Sequence, residues 1–391
     1  MLYFLANVIH FPFRVWYTPR PYAQFAQSKR FFMIQKDRLD FLKKLVATPT
    51  PTGFEDGGMR LLAASLREAG VRDLRIDRHG NLVSVLNRDA PLRVMLEGHC
   101  DEIGFIVQYI DDDGFLYMAA LGGVTVPTVA SERVVIQGRN GPVNGVFGCR
   151  PPHLMTQEDR KKVAPSELRD IAVDIGANSR EEALALVELG APAVVDAGWR
   201  ELAGGNVSCR GFDNRIGSFI VNEATRRLAK EKLNVALYSV ASVQEEIGLI
   251  GGYTTANDIA PQIGFCVDVG HATDARKEDR KVCGDVRLGA GPVVALGPVY
   301  HRGLVKRIDE AAQRIGVTLQ HRVSANGRGT CAYAMRMTGE GAAVAQFSIP
   351  LRYMHSPVEV INLEDALQTV DVIVETIKSL PADIDLCPPQ P

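Results

Sequence analysis

The chain lacks any Cys-x-x-Cys pair, any long apolar run, and almost all tryptophan. Its seven cysteines (Cys100, Cys149, Cys209, Cys266, Cys283, Cys331 and Cys387) form an odd, dispersed set. That pattern argues against a zinc finger or a disulfide framework and for reduced thiols in a cytoplasm. No hydrophobic stretch reaches the ~20 residues that cross a bilayer as a helix. Net charge is −2, so neither nucleic acid nor an anionic membrane is favoured as a general partner. Trp16 and Trp199 are the only tryptophans, too few for the stacked clusters that grip sugar rings. Internal repeats and low-complexity runs are missing too. The segment Met1 to Phe32 contains no acid and is crowded with aromatics, yet no basic region precedes its Leu2–Ile9 apolar run. A signal peptide would need that region. Residues 1–36 are therefore expected to be a peripheral extension upstream of a second methionine, Met33.

What remains is a soluble globular composition, 46% hydrophobic and 23% charged, on a chain of 391 residues, too long for one ordinary domain. Leu39, Leu42, Leu45 and Val46 recur at helical spacing, and a turn follows at 48–53. A second helix is expected over Glu55 to Ala69, stopped by Gly70. Strands follow near Leu74–Asp77, Leu82–Leu86 and Leu92–Leu96. From about 107 to 197 the texture shifts to short β-rich runs broken by glycine (Gly114, Gly122, Gly123, Gly138, Gly141, Gly145, Gly148), as in a small barrel or sandwich. Ser179-Arg-Glu-Glu182 reads as a capping box ahead of a helix over Glu181–Leu189. Beyond Asp213, helices and strands alternate again. They are helix Ile216–Lys230, strand Val235–Val243, helix Leu249–Asn257, strand Ile263–Asp268, helix Gly303–Arg314, a strand near Val317–His321, strand Ala342–Ile349 and helix Leu363–Ser379. Such alternation implies a doubly wound, mostly parallel α/β sheet with ligands at the carboxyl ends of its strands. The expected domains are a catalytic part over 37–106, a β-rich insertion over 107–197, the remainder of the catalytic domain over 198–380 and a tail over 381–391.

The chemistry gathers at strand ends. Glu245 and Glu246 follow the buried run Val235–Val243, and paired acids there can divide labour, one holding a metal and the other moving a proton. His99 ends an apolar strand, and Asp101 stands two residues on, where its carboxylate can orient the imidazole. Asp213 opens a helix, Asp268 closes a strand, and His355 follows a strand and a turn. Each alone has an ordinary structural reading, as a helix N-cap or a turn residue. Jointly they are two histidines and several acids converging on one sheet edge. Imidazole plus carboxylate suits zinc, cobalt or manganese, and the lack of a cysteine ligand speaks against a structural zinc.

Six stretches carry a family resemblance: Gly98-His-Cys-Asp-Glu-Ile-Gly-Phe105, Asp213-Asn-Arg-Ile-Gly217, Gln244-Glu-Glu-Ile-Gly248, Val267-Asp-Val-Gly-His-Ala272, Gly148-Cys-Arg-Pro-Pro-His153 and Ser348-Ile-Pro-Leu-Arg-Tyr-Met-His-Ser-Pro-Val-Glu359. In that order, over about residues 33–380, they resemble the M42 metallo-aminopeptidases, which include glutamyl and deblocking aminopeptidases and tetrahedral peptidases. The resemblance implies a phosphorylase/hydrolase-like α/β catalytic domain interrupted by a β-barrel-like dimerisation domain. It implies one metal on His99, Asp213 and Asp268 and a second on Asp213, Glu246 and His355, with Asp213 bridging. Glu245 would be the general base acting on a metal-bridging hydroxide, and Asp101 would orient His99. Two divalent ions per subunit, peptide substrates and dimers assembling to a dodecamer follow from the same likeness. Three departures stand out: Cys331 where the family usually has aspartate, Cys100 where methionine is common, and the aromatic N-terminal extension. The first puts the polarity of the substrate pocket in question.

Two other readings compete. Some relatives are described as endoglucanases, but glycoside hydrolysis normally works through two carboxylates flanking a sugar ring, without metal. A non-catalytic assembly protein on the same scaffold would be signalled by a missing ligand or a missing Glu245, and none is missing.

Overall fold

The computed structural model describes residues 35–157, 165, 167–276 and 278–387. The extension expected over 1–36 falls almost wholly outside them.

Two closed hydrophobic cores organise these residues. The larger belongs to an eleven-stranded sheet in which Leu82–Leu86, Ala236–Ser242, Arg93–His99, Ile263–His271, Ala343–Arg352 and Glu359–Asn362 lie side by side in that order. Ala236–Ser242, Arg93–His99, Ile263–His271 and Ala343–Arg352 pair in parallel, and the flanking strands are antiparallel. The parallel strands are buried along nearly their whole length, as expected when helices cover both faces. Two glycines show that covering directly. A Cβ on Gly98 would sit 2.8 Å from the backbone of Gly217 in helix Phe212–Leu228, on one face of the sheet. One on Gly264 would sit 2.7 Å from Met335 in helix Cys331–Arg336, on the other. Gly98 pairs one strand over with Ala241, and Gly264 pairs with Met95, three residues away from Gly98, so the two glycines point oppositely.

The smaller core fills a closed six-stranded barrel made of Gly104–Ile110, Leu116–Leu121, Val173–Asp174, Gly141–Phe147, Arg133–Gly138 and Pro192–Val195. The chain thus leaves the α/β unit just after Arg93–His99 and returns before Asn206–Cys209, which pairs with Glu359–Asn362. This is the mixed α/β fold with an inserted barrel that the patterning implies. One strand is longer than its sequence pattern suggested. Ile263–His271 runs three residues past Asp268, because its neighbour Ala343–Arg352 continues to pair with it up to Leu351. Asp268 therefore projects from within a strand rather than from its end. The helix after Gly211 also starts irregularly, with Asp213 and Asn214 outside helical φ/ψ. All seven cysteines are free. Among the described residues no helix is long and apolar enough to cross a membrane.

Candidate metal centre

Seven side chains singled out from the sequence meet at the carboxyl edge of the parallel strands. His99 Nε2 lies 3.4 Å from Asp213 Oδ1 and 3.6 Å from Asp268 Oδ1. His355 Nε2 lies 3.4 Å from Asp213 Oδ2 and 3.4 Å from Glu246 Oε2. Asp213 thus offers one oxygen to each imidazole. Within each set, His99–Asp213–Asp268 and Asp213–Glu246–His355, the donor atoms fall within 4.8 Å of one another. Glu245 belongs to neither set, but its Oε2 stands 3.9 Å from His99 Nε2. Asp101 is completely buried, with Oδ1 3.3 Å from His99 Nδ1.

These side chains are held by hydrogen bonds that cross large sequence distances. Asp101 does more than face His99: its two oxygens accept the backbone N–H groups of Glu245 (3.0 Å) and Glu246 (3.1 Å). Glu55 performs the same service one residue earlier, its Oε1 accepting from Gly53 (2.7 Å) and Gln244 (3.1 Å). Gln244 needs such a hold, since its φ of +56° lies in the left-handed region that non-glycine residues rarely occupy. The buried Glu359 clamps the second set, one oxygen accepting from the Asp213 N–H and the other from the His355 N–H, each at 3.1 Å. His355 Nδ1 meets the carbonyl oxygen of Gly123 at 3.0 Å, so a barrel loop fixes the ring that presents Nε2 to Asp213 and Glu246. The turn before Asp213 is locked by Gly211 (φ +64°), where a Cβ would come within 1.8 Å of Arg215 Nη2. Arg215 in turn donates to the Gly211 carbonyl (3.0 Å) and, with Arg210, to the buried Glu102 (2.9 and 2.6 Å). Glu55, Glu359, Gly123 and the Arg210–Glu102–Arg215 cluster were not assigned roles from sequence. The one available signal was an acid, Glu359, opening a strand that is otherwise buried and mostly apolar.

The electrostatics are lopsided. Burial pushes the Glu245 carboxyl up to about 9, reinforced by the charges of Asp268 and Asp213 against the pull of His99. Burial also raises Glu246 well above its ordinary value, with Asp213 adding to it, and raises Asp268. Asp213 goes the other way: the hydrogen bonds from His355 and His99 overcome its burial and hold it below the usual carboxylate range. Burial would lower His99, but the charge of Glu245 and its contacts with Asp101, Asp213 and Asp268 win and raise it well above its usual value. Glu246 Oε1 is buried and has no hydrogen-bond partner among the described residues. Carboxylates crowded together and raised by burial and by one another, with an orphaned oxygen among them, fit a site that takes up cationic charge. Imidazole nitrogens and carboxylate oxygens without thiolate fit borderline divalent ions.

Both sets open onto a cleft of about 590 Å³ that is also lined by His271, Tyr300, Arg322, Arg328 and Gln346. Cys331 is not among its lining residues. Its thiol is buried beside Glu97, 2.7 Å from where a Cβ on Gly252 would stand. The aspartate-to-cysteine departure therefore lies outside the cleft lining. Cys100 packs away from His99, toward Gly58.

Against known proteins, a family model described as M42 glutamyl aminopeptidase matches residues 80–372. A lysyl aminopeptidase of Pyrococcus furiosus is 33% identical over 342 residues, covering 87% of this chain and 97% of its own. Among solved structures, a TET aminopeptidase from a marine-sediment Thaumarchaeota archaeon superposes with a TM-score of 0.83 at 29% identity, over 88% of this chain and 97% of its own. The TET1 peptidase of Pyrococcus horikoshii, described as assembling into a tetrahedron or a large octahedral shell, gives 0.79 at 31% identity, over 88% and 100%.

Proposed function

The chain belongs to the M42 peptidase family and is thereby a hydrolase, and on that premise we propose that it is a dinuclear aminopeptidase releasing N-terminal residues from peptides. The observation that carries this reading is the sharing of Asp213 between two three-residue donor sets, with Glu245 beside them but in neither. His99, Asp213 and Asp268 would hold one divalent cation, zinc, cobalt or manganese, and Asp213, Glu246 and His355 a second. Bound there, the two cations would lower the pKa of a water and polarise the scissile carbonyl. Glu245 takes one proton from the attacking water as its oxygen bonds to the carbonyl carbon. It returns that proton to the nitrogen as the C–N bond breaks, so one water is consumed and one free amino acid leaves. Asp101 positions the base and its neighbour through their backbone N–H groups and keeps His99 oriented toward Asp213 and Asp268. Glu55 and Glu359 hold the two segments that carry these groups.

Dialysed protein should release no amino acid from unblocked peptides, and protein restored with zinc, cobalt or manganese should. N-acetylated peptides should stay intact, and cellulose oligomers should yield no reducing sugar. Metal-restored protein inert toward every peptide would remove the enzymatic reading, and sugar release would favour the endoglucanase one. We also propose that the chain works in the cytoplasm, where free thiols stay reduced, and self-associates through dimers toward a dodecamer. Sedimentation velocity of the metal-loaded protein tests the assembly, and a monomer would refute it.

The acid–base balance of the site gives a second test. Burial pushes Glu55 up to about 7, with the Asp101 charge adding to it, and pushes Glu97 up to about 6. In the unfolded chain both carboxyls titrate near their ordinary value of about 4.3. Between these limits the metal-free folded state keeps protons that the unfolded state has lost, so stability falls as pH rises. His355, raised by Asp213, and His99 act in the same direction above about pH 6.5, while His271, lowered by burial and by Arg322, opposes them. Acids held low, such as Asp213 and Glu102, matter only at pH below their ordinary range. Melting in chelator should therefore show Tm dropping between about pH 5 and pH 8. With divalent cation present the trend should reverse, because the ligands must be deprotonated to bind it. A flat or rising chelator profile would show that these carboxyls are not shifted upward.

A further inference from the structure

One fully buried acid near the centre has no part in the catalytic reading. Glu97 lies two residues before His99 on strand Arg93–His99, with none of its surface exposed. Its Oε1 accepts from Ser242 Oγ at 2.6 Å, but Oε2 has no hydrogen-bond partner among the described residues. A buried carboxyl with an idle oxygen is costly to keep, so its surroundings call for an account. The groups beside it are thiols. Cys331 acts on the Glu97 carboxyl directly. Cys266 stands opposite Glu97 in the strand register and interacts both with it and with the backbone N–H of Ala332.

Four elements therefore meet at Glu97, and each carries a group of the proposed centre a short step away. His99 follows Glu97 by two residues on one strand, and Asp268 follows Cys266 by two on the next. Each faces the same side of the sheet as the residue beneath it. Glu245 follows Ser242 by three residues, and the Ser242 carbonyl accepts the N–H of Cys100 (2.8 Å), just past His99. Thr330, which lines the cleft, immediately precedes Cys331 at the start of helix Cys331–Arg336. That helix is pressed from behind, since a Cβ on Gly252 would stand 2.7 Å from the Cys331 thiol. Position 331 is also where this chain departs from the family's usual aspartate, and Glu97 brings an acid against that same position from the strand.

We propose that Glu97 is a positioning residue of this centre, its carboxyl delivered from the strand in place of an aspartate delivered from the helix at position 331. The inference rests on the dinuclear reading and concerns the layer beneath the donor set His99–Asp213–Asp268. Through Ser242, Cys266 and Cys331 the carboxyl ties together the segments that carry His99, Glu245, Asp268 and Thr330. Groups that hold ligands from behind are typically worth about 10–100-fold in cation affinity.

The test is a double-mutant cycle of Glu97→Ala and Cys331→Asp, read by calorimetric titration of the metal-free proteins with zinc and by Tm in chelator. Glu97→Ala should weaken one of the two binding steps by about 10–100-fold and leave the other within about threefold of wild type. Cys331→Asp alone sets a second carboxyl against the first and should weaken the same step. Together the two changes should restore that step to within about threefold of wild type, a rescue that lost packing alone does not give. If Glu97→Ala does not fold, Glu97→Gln takes its place, since it keeps the side-chain volume and an acceptor for Ser242. Cys331→Asp should then weaken binding in the wild-type background and leave it unchanged beside Glu97→Gln. Equal effects of Cys331→Asp in the two backgrounds would overturn the proposal. A lower Tm in chelator with both binding steps intact would make Glu97 a packing residue and overturn it as well. Wild-type protein that binds fewer than two zinc ions brings down the dinuclear reading, and this inference with it. Two bound ions with an uncoupled cycle sink this inference alone.

Discussion

Glu245→Gln is expected to keep its bound divalent cation while kcat falls by about 10²–10⁴-fold, the usual worth of a positioned proton carrier. Glutamine preserves the shape of the side chain and cannot accept the proton. The backbone of residue 245 stays anchored, because its N–H donates to Asp101 whatever the side chain is. Neither three-residue donor set includes Glu245, so the proposed ligands are untouched. The surroundings already favour the protonated form of this carboxyl, through burial and the charges of Asp268 and Asp213. A base that holds a proton readily there can also surrender it to the leaving amine once the neighbouring carboxylates are engaged. Elemental analysis of the purified variant and its kcat on an unblocked peptide decide the matter. Activity within a factor of about ten of wild type would mean the base is misassigned. Loss of cation would instead make Glu245 a ligand.

The sequence carried the chemistry of the site better than its scaffolding. Apolar runs of strand length alternating with helical periods specify an α/β sheet, and the glycine-broken stretch after residue 107 marks the barrel, because both patterns are local. His99, Glu245 and Glu246 could be singled out for a related reason: polar groups directly following buried strands are conspicuous. The bonds that hold them are not local. Glu55 reaches Gln244 across 189 residues, and Gly123 reaches His355 across 232. A carboxylate that captures a distant backbone N–H has no period and no partner type, so nothing in the sequence separates Glu55 from a solvated acid. Arg215 is a similar case. It is fully buried and paired with Glu102, yet in sequence it resembles any surface arginine at the start of a helix. The reach of strand Ile263–His271 was missed because the length of a parallel strand depends on its neighbour's length.

Asp213→Ala should cost more than any other single change at the proposed centre, because Asp213 alone contributes to both donor sets. Without it, His99 with Asp268 and Glu246 with His355 are left as two-ligand remnants. Neither offers the three protein donors that a catalytic zinc-type site usually has. Both cations should be lost, and activity with them, by roughly 10³–10⁵-fold if the pair supplies several kcal/mol to the reaction. Asp268→Ala removes a donor from one set only, so one cation should remain. Stability offers a readout independent of turnover. Cation binding stabilises the folded state by about 2.7 kcal/mol at a hundredfold excess over Kd. Wild type should therefore show a clear rise in Tm on adding cation, Asp268→Ala a smaller one, and Asp213→Ala almost none. In chelator the three proteins should melt much closer together, since Asp213 also raises the carboxyls of Glu246 and Glu359 and its removal relieves that repulsion. An Asp213→Ala protein that still binds two cations would show that the two sets do not share it.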